Sequence, residues 1–259
     1  MPDEKPLVYL VLGAAGSGRR EILADLISDG LVEGDKPAVL LASTEAASPF
    51  DEKLPGLARW GWDPGLGIDA EIPEGATHVF LMTDGRRNPV DQVQAFQMWL
   101  LAKGAELARV LCVVHCGLAE KHHPLLVWYD ALVHFSDVVL LNKREGIGNK
   151  WVGDFQARYK GQFYPALFEL VKAGRVKNPA LVLAPGALRL SHAFDELEEQ
   201  LATEEVVEYE IGGDPITEEE EEQEEAEDEE DEIREDPYFV RLAGGRRAKE
   251  IPDIAKYLG

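Results

Sequence analysis

Residues Pro6 to Glu21 read PLVYLVLGAAGSGRRE. The unbroken apolar run from Leu7 to Leu12 predicts a strand buried on both faces. The small-residue stretch Gly13-Ala14-Ala15-Gly16-Ser17-Gly18 predicts a tight loop, and Ile22, Leu23, Leu26 and Ile27 recur at helical spacing behind it. From Gly13 to Gly18 the spacing is the G-x-x-x-x-G half of a phosphate-binding loop. In such a loop, glycines let successive backbone N–H groups converge on an anion at the N-terminus of the next helix. The complete motif continues with Lys, which reaches the outer phosphates, and a Ser or Thr hydroxyl that ligates Mg²⁺. Arg19 and Arg20 stand there instead. The glycines predict the shape of a phosphate cradle, while the two arginines remove its usual charge and metal chemistry.

Strands and helices alternate outward from this stretch. Further strands are expected at Ala38–Ala42, Thr77–Met82, Ala108–His115, Asp137–Leu141 and Ala180–Ala184. Helices are expected from Pro89 to Lys103, from Lys121 to Phe135, from Val152 to Ala173 with a break near Pro165, and from a Ser191 cap to about Leu201. Repeated crossovers of this kind predict an α/β fold: a doubly wound, mostly parallel sheet with its ligand loops at the carboxyl ends of the strands. The glycine loop and Asn142–Glu145 should then share one edge. The long connection from Ser43 to Gly67, which contains Trp60 and Trp62, is either functional or pinned to the core by those rings. Val206–Ile211 alternates in polarity and reads as an added edge strand.

With 259 residues, 45% of them apolar, the chain is long enough for one sizeable domain and an appendage. The expected division is an α/β domain over 1–211, an acidic disordered tether over 212–235 and a docking segment over 236–259. Net charge is −23, and Glu218 to Glu232 alone holds 13 acidic residues and no basic one. That balance argues against nucleic acid as a partner, because binding it requires a clustered basic surface. It suits a basic protein surface or cations. Tyr238, Phe239, Val240, Leu242, Ile251, Ile254, Tyr257 and Leu258 follow the acidic run, so the segment should dock either on its own body or on a protein partner. The sequence shows no membrane-spanning run and no leader at MPDEK, which gives a cytoplasmic expectation. Cys112 and Cys116 read as buried thiols. His115, Cys116, His122 and His123 are near enough in sequence for a metal site, or are simply a strand end and a helix start.

Together these residues resemble the cobalamin-biosynthesis (CobW-type) group of P-loop GTPases, many of which are metallochaperones. Gly13–Gly18 matches the group's Walker A loop. Met82-Thr83-Asp84-Gly85-Arg86-Arg87-Asn88-Pro89 keeps the Gly and Pro of its E-x-x-G-x-x-D-P segment but has Met82 for the Glu. Asn142-Lys143-Arg144-Glu145 matches the N-K-x-D guanine motif with Glu for Asp. A Cys-x-Cys-Cys metal motif is missing, since no cysteine precedes Arg109. The resemblance implies a GTP or GDP site on Gly13, Ala14, Ala15, Gly16, Ser17, Gly18, Arg19, Arg20, Asn142, Lys143 and Glu145. Read by itself, Asp84 is a candidate to hold Mg²⁺ through water, with Glu45 or Asp51 contributing from the insertion, or these carboxylates are simply solvated caps. The function the resemblance implies is a degenerate GTPase-like protein, nucleotide-binding or regulatory with little or no hydrolysis; the alternative is an active GTPase or metallochaperone using an atypical loop.

Overall fold

The computed structural model describes residues 5–63, 65, 67–195 and 235–258. The eight strands are β1 (Leu7–Gly13), β2 (Pro37–Ala42), β3 (Ala58–Asp63), β4 (Gly67–Asp69), β5 (His78–Met82), β6 (Glu106–His115), β7 (Val138–Asn142) and β8 (Leu167–Leu170). They form one sheet in the order β4-β3-β2-β5-β1-β6-β7-β8. All neighbours are parallel except β3 and β4. The helices are α1 (Arg19–Gly30), α2 (Pro89–Lys103), α3 (Cys116–Lys121), α4 (Leu125–His134), α5 (Asn149–Lys160) and α6 (Pro179–Leu183).

Alternation along each strand creates two cores, because successive side chains leave opposite faces of a pleated sheet. Leu10, Leu12, Val110, Cys112, Val114, Val139 and Leu141 face one side, against Phe96 of α2 and Trp128 and Tyr129 of α4. Tyr9, Val11, Leu111, Val113 and Leu140 face the other, against Ile22, Leu23 and Leu26 of α1 and Val182 and Leu183 of α6. With both faces covered, the central strands read as continuous apolar runs. The fold is a doubly wound, mostly parallel α/β sheet, with the glycine loop leaving the central strand β1.

Four sequence expectations are corrected. Ala180–Ala184 is not a strand: Asn178 accepts from the backbone N–H of Leu181 and Pro179 occupies the first helical turn, so α6 forms instead. The parallel strand after β7 is β8, in a stretch expected to be helical; the chain leaves the helical conformation after Gly161, and Phe163 takes φ 58°. The expected helix Lys121–Phe135 forms only over α4, Leu125–His134; a separate short helix, α3, ends at Lys121, parted from it around Pro124. The connection from Ser43 to Gly67 contributes β3 to the sheet. Trp60 is pinned there, its ring buried and its Nε1–H donating to the Met82 carbonyl at 2.9 Å. The acidic run, Val206–Ile211 and the expected helix beyond Asp195 lie outside the described residues.

The segment 235–258 lies on the body. Tyr238, Phe239 and Ile254 are buried in the core that contains α2 and α4, and Phe239 stacks on Phe135 with centroids 5.4 Å apart. Of the two docking surfaces the sequence left open, the segment takes its own domain.

Candidate functional site

Because β1 and β7 point the same way, Gly13 and Asn142 end at one edge of the sheet. The structure joins the two loops there: Asn142 Nδ2 donates to the Ser17 carbonyl at 2.8 Å. Gly13, Gly16 and Gly18 hold φ of 141°, 78° and 89°, conformations that L side chains rarely adopt, so the glycine pattern is a backbone requirement. A Cβ on Gly18 would also lie 2.4 Å from Asn142 Nδ2, which ties loop shape to this brace. Lys143 sits at φ 51° with its stem near Gly18 and its ammonium 3.7 Å from Glu21. Its carbonyl accepts from Gly117 at 3.1 Å. Glu145 is exposed on the same edge.

The loop opens on a cleft of about 380 Å³ bordered by Gly16, Gly18, Arg20, Thr44, Glu45 and Asp84. Neither arginine extends into it as a free cation. Arg19 turns back under the loop, donating from Nη1 to the Thr83 carbonyl and from Nη2 to Glu45 Oε1, each at 2.5 Å. Burial lowers its pKa, opposed by the Glu45 carboxylate beside it. Arg20 donates to Asp51 at 2.9 Å and to Glu45 at 3.2 Å. Asp51 also accepts from Arg59, and Arg59 reaches the Glu45 carbonyl at 2.7 Å. The Gly85 N–H completes the ring by donating to Glu45 Oε1 at 3.2 Å. Two guanidiniums and a backbone N–H converging on one carboxylate constitute an anion site, and the anion is the protein's own.

Asp84 is similarly engaged. Its Oδ2 accepts from Thr44 and Arg87, and its Oδ1 from the Arg86 N–H. Gln92 clasps the backbone on both sides, accepting from Asp84 N–H and donating to Asp84 C=O. Mg²⁺ requires open oxygen ligands in near-octahedral array. As placed, Asp84 Oδ2 already accepts from two protein donors and Oδ1 from one, Arg20 stands where a hydroxyl is required, and no group of three or more acidic, His or Cys residues that could hold a metal occurs among the described residues. This donor set does not fit the ion. The Cys116 thiol is pushed up to about 12 by burial, and His115 Nδ1 is used to cap α3 through the Leu118 N–H. Neither is poised as a metal ligand.

No protein-family model matches the chain, and no curated protein sequence matches it. Among solved structures it is similar to the Zn(II)-bound YjiA GTPase from E. coli, at 14% identity over 75% of this chain and 70% of that one, with a TM-score of 0.41. It is similar to HypB from Helicobacter pylori in complex with nickel, at 13% identity over 80% and 92%, with a TM-score of 0.41. For cell division protein FtsY from Thermotoga maritima the figures are 17%, 76%, 69% and 0.42.

Sequence reasoning placed the glycine loop and Asn142–Glu145 on one edge, as found. It missed the pairing of Glu45 and Asp51 with the arginines, though two carboxylates in the loop after β2 and two unexpected cations after β1 were a legible signal. It also missed Arg86, and the approach of Tyr257 and Leu258 to the loop, for which the sequence holds no local signal. Among the described residues no helix is long and apolar enough to cross a membrane.

Proposed function

We propose that this chain is a guanine-nucleotide-binding or regulatory protein on a P-loop GTPase-like scaffold, with little or no hydrolysis. The observation that carries the reading is the fate of the two arginines. In a working loop a cation meets the outer phosphates and a hydroxyl meets the metal; here Arg19 and Arg20 are neutralised by Glu45 and Asp51. With both guanidiniums paired to carboxylates and no hydroxyl at the metal-ligating position, charge developing on a transferred phosphoryl group loses two of its usual stabilisers.

What survives is the binding frame. The left-handed glycines, the Asn142 brace and the Lys143 stem support a phosphate cradle with a base-recognition loop beside it. Glu145 offers the paired acceptor oxygens that guanine's N1–H and amine require, one methylene further out than Asp. Phosphate entering the cleft must displace Glu45 from its arginines, so occupancy would be coupled to movement of the loop after β2. That makes the site a sensor rather than a catalyst. The same proposal gives the acidic run over 212–235 the role of contacting a protein partner, through carboxylates that attract a basic surface, while the segment that follows it is held on the body.

Titration of fluorescent GDP and GTP, with and without Mg²⁺, followed by a phosphate-release assay, tests the reading. Saturable binding without turnover supports it. Turnover at ordinary GTPase rates overturns it, as does the absence of binding both in the native chain and after Glu45→Gln.

A further inference from the structure

The cleft has a second compartment. On the other side of Ala15 and Gly16 lies a space of about 250 Å³, bordered by those two residues, Arg86 and His115 from the body, and Tyr257 and Leu258 from the C-terminal segment. Ala15, Gly16 and Arg86 border both spaces, so they form a shared wall. We propose that residues 251–258 are the roof of a phosphoryl-ligand compartment at the glycine loop, so that ligand binding and docking of this segment reinforce each other.

The wall chemistry points to an anion. Arg86 is exposed, and among the described residues its guanidinium has no hydrogen bond or ion pair, in contrast to Arg19, Arg20, Arg59 and Arg87 around it. The His115 ring takes the Leu118 N–H on Nδ1, which leaves Nε2 to carry the ring proton and act as a donor. Burial favours that neutral form by lowering the imidazole pKa. Gly16, in a left-handed conformation, borders the same space together with Leu118, so the unpaired guanidinium of Arg86 is the charge available there to an anion.

The roof is set in place from a distance. Ile254 is 1% exposed in the main core, and Ile251, Tyr257 and Leu258 pack against it. The Tyr257 ring lies 5.1 Å from His122. Further back, Arg247 bridges to Asp91 and Gln94 on α2, and Asp236 is buried against His134 and Ser191. A ligand touching both wall and roof is bound better by the docked state than by the undocked one, and linkage requires that it stabilise docking by the same factor.

This inference rests on the reading of the glycine loop as a phosphate cradle. The test uses the full chain, with pyrophosphate, GDP and guanosine as probes in calorimetry, together with amide exchange over 251–258. Arg86→Ala should weaken pyrophosphate and GDP about tenfold. The double variant Tyr257→Ala/Leu258→Ala keeps Ile254, Phe239 and Tyr238 as anchors, and should weaken both probes several-fold. Pyrophosphate should slow exchange over 251–258 in the native chain and require about tenfold more ligand for the same effect in Arg86→Ala, while guanosine has no effect on it. Binding that is unchanged in the double variant, with no ligand effect on exchange, overturns the roof and leaves the cradle reading intact. Failure of every probe to bind either the native chain or Glu45→Gln overturns both.

Discussion

Arg19 Nη2 lies 2.5 Å from Glu45 Oε1, with the two side chains only 4% and 13% exposed. Arg19 comes from the end of the glycine loop and Glu45 from the connection after β2, so this pair closes one loop over the other. The interaction is costly to break from one side, because it would leave a guanidinium desolvated with no counter-charge.

Glu45→Gln is therefore expected to destabilise the fold by about 3 kcal/mol, measured by urea denaturation, and to raise pyrophosphate affinity by about tenfold or more. The opposite signs are the point. An inert surface carboxylate would move neither quantity, and a purely structural one would lower stability without creating an anion site.

Restoring the motif with Arg19→Lys and Arg20→Thr should increase GDP affinity in a Mg²⁺-dependent manner. The structure adds a condition. Arg19→Lys also loses the two-pronged contact to Thr83 and Glu45, which a single ammonium cannot reproduce. The gain should thus be larger when Glu45→Gln is combined with the pair, and calorimetry on the four-member cycle measures that coupling. No gain in any member would mean that the loop backbone has lost its cradle geometry.

Lys143 gives a test in which two backbone effects compete. Its left-handed φ of 51° costs about 1–2 kcal/mol for an L residue. Replacing it with Gly relieves that strain but adds about 0.4–1 kcal/mol of unfolded-state entropy, so Lys143→Gly should be neutral to about 1.5 kcal/mol more stable. Losing the stem over Gly18 should at the same time weaken GDP binding. A thermal melt and a titration on one variant settle both, and a stable protein with undiminished affinity would remove Lys143 from the site.

Legibility from sequence followed the range of the interactions. Continuous apolar runs identified β1, β5, β6 and β7, because a strand buried on both faces imposes hydrophobicity at every position. β8 escaped, since its residues Leu167–Leu170 are only partly buried or exposed at the sheet edge, and a Leu-Phe-Glu-Leu run fits a helix equally well. Asn178-Pro179 was a local capping signal that an apolar Ala180–Ala184 run outweighed on reading but not in folding. At the site, the glycine spacing was legible because it encodes local backbone angles. The partners of Arg19 and Arg20 are 26 and 31 residues away, and the roof over Gly16 is more than 240 residues away. Only the three-dimensional fold brings these together.

The last prediction concerns how the C-terminal segment lets go. Asp236 Oδ2 lies 2.8 Å from His134 Nε2 and accepts from Ser191 Oγ at 2.5 Å, while Oδ1 accepts from the Tyr238 N–H at 2.9 Å. Burial by itself would raise this carboxyl; the hydrogen bonds from His134 and Ser191 outweigh it and hold the pKa below the ordinary 3.8. A depressed carboxylate stabilises docking fully above its undocked pKa, and that contribution is lost as pH falls through the lower docked value. Amide protection over 235–258 should accordingly fall below about pH 4, before protection of β1 and β6 is lost. Asp236→Asn should weaken docking already at neutral pH, by about 1–3 kcal/mol, and flatten the acid dependence. Hydrogen exchange of the native chain and the variant from pH 7 to pH 3 measures both, and identical protection profiles would show that Phe239, Tyr238 and Ile254 hold the segment without the buried clasp.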